Sequence, residues 1–263
     1  CKEKGIKVIA NAGGVNPKGC LKAIKEVVKE LGLTGIKIGI VEGDDILDQL
    51  PELIASGEEF KNLDTGAPIQ DVLDKISSAN VYIGAKPIAD ALDQGADIVV
   101  TGRATDPSVV VAPLIHEFGW SMEDYDKLAA GTVMGHILEC GAQCTGGNYN
   151  GWRDVPNFAR IGYPIVEAKA DGTFTVTKHE GTGGLVTVDT VVSQIMYELG
   201  DPKNYLGPDC KSDFTTIQME QDGKDRVKVW GIKGSEPTPT YKVSMAFENG
   251  YKIVGQLTYT APD

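Results

Sequence analysis

No stretch of this 263-residue chain stays apolar over the roughly 20 residues that a membrane-spanning helix needs, and none has the order of a secretory signal. Clustered cations are missing as well. There are 25 Lys and Arg against 37 Asp and Glu, a formal net charge of −12, and no Lys/Arg-rich run breaks that balance. Nucleic acid and anionic membrane surfaces are held by clustered cations, so both are disfavoured as partners. The five cysteines, Cys1, Cys20, Cys140, Cys144 and Cys210, are odd in number and too sparse for a disulfide scaffold. Free thiols in a soluble, cytoplasmic protein are the expectation. Internal repeats and low-complexity segments are absent. So are the three-glycine spacing of a dinucleotide-binding turn and the lysine of a P-loop, and no cofactor is called for.

What is present reads as two regimes. From residue 5 to about 147, short β-branched runs alternate with amphipathic windows: strands at 6–10, 36–41, 81–84 and 97–101, helices at 17–31, 44–55 and 87–94. Leu21, Ile24, Val27, Val28 and Leu31 share one face of the first helix, and Asp44 reads as the cap of the second. This alternation predicts an α/β domain, residues 1–147, with a parallel sheet and helical crossovers. Residues 148–263 predict an α+β domain with an antiparallel sheet. Asp171-Gly172 joins a hairpin of 163–169 and 173–178, a helix covers 188–199, and strands follow at 214–220, 226–232, 241–247 and 251–259, the last pair turned by Glu248-Asn-Gly250. The chain opens without methionine, and Cys1-Lys-Glu-Lys-Gly5 reads as the last turn of a helix with a Gly stop, so earlier residues are expected.

Three Gly-rich turns carry the candidate binding groups. Asn11-Ala-Gly-Gly-Val-Asn16 offers Asn11, Gly13, Gly14 and Asn16, with Asn16 as N-cap and Pro17 at the first helical position. Thr101-Gly-Arg-Ala-Thr-Asp-Pro-Ser108 offers Gly102 and Arg103 at the carboxyl end of a parallel strand, where ligands of open sheets bind. Glu180-Gly-Thr-Gly-Gly184 offers Glu180, Gly181, Thr182 and Gly183. A helix N-terminus behind such a turn can hold an anion, and a guanidinium can grip a carboxylate or phosphate in two hydrogen bonds. Each turn also has a plain structural reading: Arg103 can brace its own loop against Asp106 or Asp97, and the third turn can simply link a hairpin to a helix.

The densest chemistry lies on a helix expected over 128–143, where Gly131 and Gly135 permit close packing. His136, Glu139, Cys140, Gln143 and Cys144 recur at separations of three and four and so share one face. Glu139 and His136 are the candidate acid/base pair, Asp106 a further catalytic carboxylate, and Gln143 a ligand-binding group. A metal would need His136, Cys140 and Cys144 to converge across two turns, and a Cys140 nucleophile lacks an oxyanion-hole motif, so no metal site is assigned. His116 reads as structural.

Taken in order, Asn11-Ala-Gly-Gly-Val-Asn-Pro17, Gly84-Ala-Lys-Pro-Ile88, Gly95-Ala-Asp-Ile-Val-Val-Thr-Gly-Arg103, Pro113-Leu-Ile-His-Glu-Phe-Gly-Trp120, Gly135-His-Ile-Leu-Glu-Cys-Gly-Ala-Gln143 and Glu180-Gly-Thr-Gly-Gly-Leu-Val186 resemble the acyclic terpene utilisation (AtuA) family. Members of that family are longer at the N-terminus. The resemblance implies a catabolic enzyme acting on a CoA thioester or related carboxylate and does not name the reaction; the Glu139 and His136 pair, with the donors of the Gly-rich turns, points to a lyase or hydratase acting on a small-molecule anionic ligand. The alternative is a non-catalytic acyl-CoA-binding or assembly subunit, with a metal-dependent hydrolase a third option. A homo-oligomer is compatible with either of the first two.

Overall fold

The computed structural model describes residues 1–14 and 16–258. In chain order its elements are β1 (Val8–Ala10), α1 (Pro17–Glu30), β2 (Ile38–Val41), α2 (Leu50–Ala55), β3 (Ile76–Val81), α3 (Lys86–Asp93), β4 (Ile98–Thr101), α4 (Ser108–Phe118), α5 (Tyr125–Glu139), β5 (Pro164–Ala168), β6 (Phe174–Lys178), α6 (Val188–Ile195), β7 (Tyr205–Leu206), β8 (Lys211–Asp213), β9 (Gln218–Gln221), β10 (Val227–Trp230), β11 (Lys233–Ser235) and β12 (Val243–Phe247). Two compact units result, one of residues 1–45 and 81–242, the other of 46–80 with the chain from Val243 onward.

In the first unit β1, β4 and β2 form a parallel sheet in that order, with β4 central. Its Ile-Val-Val-Thr run is buried from Val99 to Thr101, as expected of a strand covered on both faces. The α/β class is therefore the one the alternation predicts, and the other sheets are antiparallel. The order β5-β6-β10-β9 contains the 171–172 hairpin, with Ala168 opposite Phe174 and Gly172 at φ 86. A smaller sheet, β11-β8-β7, has no counterpart in the sequence reading.

Helix α5 is buried continuously from Leu128 to Ile137. A helix that is apolar all round belongs inside. One hydrophobic cluster runs from Val99, Ile88 and Val111 through Leu128, Val133 and Met134 to Phe174, Val176 and Val229. Gly135 lets α5 approach the turn before α4: a Cβ there would lie 2.5 Å from Pro107 Cα. The second unit pairs β3 with β12 and buries Leu50, Ile69 and Ala79.

Several elements differ from the sequence reading. The helix expected over 44–55 is a 3-10 turn at Leu47–Gln49 followed by α2, because the Asp44 side chain bonds Arg103 rather than capping a helix. Residues 214–216 form a 3-10 turn, since Asp213 Oδ1 accepts from Thr215 N at 2.9 Å, and the strand starts at Gln218. Helix α5 stops at Glu139 and gives way to Gly141 at φ 54, so Gln143 and Cys144 do not continue its face. Helix α6 ends at Ile195, short of residue 199. Residues 251–258 form no strand, with Tyr251, Ile253, Val254 and Leu257 more than four-fifths exposed; strand propensity needs a partner surface. Tyr259, the end of that expected strand, and Val15 of the first turn lie outside the described residues. On α1 no residue is buried, and Val27 and Leu31 are more than half exposed.

The two helix glycines of α5 make a stability test. Gly135→Ala forces backbone against backbone at Pro107 and is expected to cost about 1–3 kcal/mol in denaturant unfolding. Gly131→Ala meets side chains rather than backbone, the Val111 and Leu114 methyl groups at 3.1 and 3.2 Å and the Trp120 ring at 3.5 Å. Its gain in helix propensity of about 0.5–1 kcal/mol should leave it close to neutral.

Candidate functional site

Two of the three Gly-rich turns meet. The first leaves β1 and the second leaves its parallel neighbour β4, so both emerge from the same end of the sheet. Asn11 Nδ2 donates to Asp106 Oδ1 at 2.8 Å, and Arg103 Nη2 donates to Asp106 Oδ2 at 2.9 Å. The Arg103 guanidinium lies 4.4 Å from the Tyr82 ring centre, within cation–π range, and Lys242 Nζ is 5.4 Å from the same ring. Arg103 is thus braced by Asp106, one of the two partners weighed for it. Asp97 instead receives Lys2, Lys7 and the Lys37 main-chain N–H.

The glycines of these turns serve close approach by the protein itself. The Arg103 main-chain N–H donates to buried Asp44 Oδ2 at 2.7 Å, and a Cβ on Gly102 would lie 1.9 Å from Asp44 Oδ1. A Cβ on Gly13 would lie 2.4 Å from the Thr101 carbonyl oxygen. Gly14 adopts φ 49 in open space. Asn16 caps α1 as expected, accepting from Gly19 N at 2.9 Å.

Packing of Gly135 on Pro107 brings the last turn of α5 against the Asp106 turn. Glu139, at that helix end, is exposed as a residue, yet neighbouring protein groups remove part of its carboxyl's hydration. That loss, then the Asp106 and Glu198 charges and a hydrogen bond with Asp106, push its pKa up to about 7, with the Arg103 charge opposing. Glu198, outside the sequence-derived set, sits just past α6 in the left-handed region at φ 54, a strained conformation for a non-glycine residue.

His136 lies elsewhere on the helix. Its ring is 97 % buried and packs edge-on against Tyr205 and Phe214, each with centroids 5.6 Å away. Burial lowers its pKa, against an opposing pull from main-chain groups of Ile195, Gln194 and Tyr197. Among the described residues no hydrogen bond joins His136 to Glu139; the carboxyl partner of Glu139 is Asp106. Gln143 Oε1 is buried without a partner among the described residues.

The third turn is built into a different contact. Gly183 N donates to the Arg160 carbonyl, Thr182 Oγ1 to the His179 carbonyl, and buried Lys178 bonds the Thr182 carbonyl and pairs with Asp225 at 3.4 Å. Glu180 and Gly181 are exposed. Among the described residues no hydrogen bond or ion pair joins this turn to Arg103 or Glu139.

All five cysteines are free. Burial pushes the Cys144 thiol up to about 12 and raises Cys140 and Cys210, which disfavours thiolate chemistry at each. No group of three or more His, Cys, Asp or Glu side chains among the described residues is placed to hold a metal ion, and no helix among them is long and apolar enough to cross a membrane. His116 Nδ1 pairs with Asp93 Oδ1 at 2.5 Å, tying α4 to α3.

Tyr82 and Glu198 are the site neighbours that sequence reasoning missed, and Asp44 it read only as a helix cap. Each acts across long chain separation, and no periodicity announces such contacts.

The raised Glu139 pKa carries a pH consequence. The folded state holds the proton more tightly than the unfolded chain, whose carboxyl titrates near its ordinary value of 4.5. Folding stability therefore falls as pH rises from there to about 7 and is constant above it. Glu139→Gln should gain in melting temperature relative to the parent between pH 5 and pH 8. In a carboxyl-carbon NMR titration Asp106→Asn should move the Glu139 midpoint down toward the ordinary carboxylate range; an unmoved midpoint would refute the coupling.

No curated protein and no solved structure matches the chain. A family model does, that of "Acyclic terpene utilisation family protein AtuA", and it covers residues 1–263. With the match spanning its whole length, the chain belongs to the acyclic terpene utilisation family.

Proposed function

We propose that this chain is a cytoplasmic catabolic enzyme of lyase or hydratase type that acts on an acyl-CoA thioester or a related carboxylate. The observation that carries the reading is the Glu139 carboxyl, hydrogen-bonded to Asp106 and titrating at about 7 beside the loop that leaves the carboxyl end of a parallel strand. A carboxyl poised near neutrality can give and take a proton at working pH. Family membership supports a role in acyclic terpene breakdown.

In the hydration direction, the oxygen of water bonds to the β-carbon of an α,β-unsaturated thioester and its proton passes to Asp106. Glu139 delivers its own proton to the α-carbon, completing the net addition of H–OH. Transfer within the hydrogen-bonded pair then restores Glu139. Asn11 and Arg103, each donating to Asp106, fix the orientation of that carboxyl. His136 supports α5 from its aromatic pocket.

A panel of branched enoyl-CoA and hydroxyacyl-CoA compounds, followed by mass spectrometry in isotopically labelled water, tests the proposal. Turnover is expected, with kcat/KM falling as pH rises through 7 because the acid loses its proton. Glu139→Gln should lower kcat/KM by about 100-fold or more while acyl-CoA affinity stays within a fewfold. Acyl-CoA binding with no turnover by the parent protein would overturn the enzyme reading in favour of the binding subunit.

A further inference from the structure

Beside the carboxyl pair lies a cavity of about 50 Å³ whose walls include Thr105, Pro107, Ser108, Thr132, Tyr205 and Asp209. A water-sized group needs about 10–15 Å³ of such space, so the cavity admits a few oxygen-sized groups and no acyl chain. Leu206, Gly207 and Pro208 complete a wall whose larger share is apolar, with the Asp209 carboxylate as its buried polar group. Asp209 is only 5 % exposed; Oδ1 accepts from Ala85 N at 2.8 Å and Oδ2 from Ser108 Oγ at 2.6 Å. The Ser108 hydroxyl is also bonded to that of Thr105. Gly84 makes room for this arrangement, since a Cβ there would lie 2.5 Å from Asp209 Oδ1.

The chemistry of the walls selects the occupant. A carboxylate offers about four lone-pair sites, and two of those on Asp209 are taken, so it can accept a further proton donor. Tyr205 is a phenol whose pKa burial pushes up to about 12, with Glu139, Asp106 and Glu198 adding to the rise, so it is a hydrogen-bond donor in the field of the carboxyl pair. An anion here would face Asp209 at contact and Asp106 nearby. An apolar group would leave the remaining lone pairs of the Asp209 carboxylate without a donor. A neutral O–H, which both donates and accepts, fits both demands.

We infer that this cavity is the seat of a neutral hydroxyl oxygen, donating to Asp209 and accepting from Tyr205, where the oxygen gained or lost in the reaction is held. Two sources share that chemistry: a water molecule, and the hydroxyl of a hydroxyacyl substrate. The inference rests on the lyase or hydratase reading for the second source and stands apart from it for the first.

Two measurements on the full chain test it. The first is a crystal structure of the ligand-free protein at a resolution that orders solvent, expected to show an oxygen within hydrogen-bond distance of the Asp209 carboxylate. The second compares the affinity of a hydroxyacyl-CoA with that of the same acyl-CoA lacking the hydroxyl. The hydroxylated ligand should bind about threefold to tenfold more tightly, and Tyr205→Phe should shrink that ratio toward one. Discrimination assigns the seat to the substrate hydroxyl, and an ordered oxygen without discrimination assigns it to water. If no CoA compound binds, the thioester reading fails and the crystallographic oxygen alone decides the seat. A dry cavity together with equal affinities overturns the inference.

Discussion

The carboxyl group of Asp106 is the joint on which the site turns. It accepts Asn11 from the loop after β1 and Arg103 from its own loop after β4, and so ties two sheet ends that are separate in sequence. It also bonds Glu139, which reaches it because Gly135 lets α5 settle on Pro107. Three chain segments therefore converge on one side chain. Arg103 cannot swing out to meet a ligand without giving up both this pair and its stacking on Tyr82.

That geometry also sets the charge of the cleft. Arg103 is matched by Asp106, while Glu139 and Glu198 add carboxyls that form no ion pair among the described residues. Loss of hydration and two like charges outweigh the one guanidinium, and the proton stays on Glu139 to near neutrality. A reacting group that is neutral until the transition state suits such a place better than one that arrives charged. A carbonyl or a hydroxyl meets that requirement.

Much of the fold was legible in the sequence, for local reasons. The β-branched run of β4 announces a strand buried on both faces, Asn16-Pro17 announces the start of α1, and Asp171-Gly172 announces a hairpin. Glu139 could be singled out because a carboxylate amid apolar helix residues needs an explanation. Its partner could not be named: spacing along a helix points to His136, while the hydrogen bond goes to Asp106, more than thirty positions away. Asp44 was read as a helix cap for the same reason. A short polar side chain before a helical pattern caps it by default, and only the fold reveals that a strand end 59 residues later takes the same oxygen.

The Gly-rich turns illustrate the limit most sharply. Glycine after a parallel strand says that something approaches the backbone closely, and an anionic ligand is the usual reading. Here carboxylates of the protein make that approach. Asp44 takes the Arg103 N–H across Gly102, and Asp209 takes the Ala85 N–H across Gly84. Main-chain donors that would cradle a phosphate in another α/β protein are occupied from within, by side chains too deep to be displaced. The polarity of the motif is preserved while the source of the negative charge is internal. An excess of acidic residues is thus partly consumed in organising the sheet ends, and the chemistry left facing the cleft is that of a protonated carboxyl and its hydroxyl neighbours rather than that of a cationic cradle.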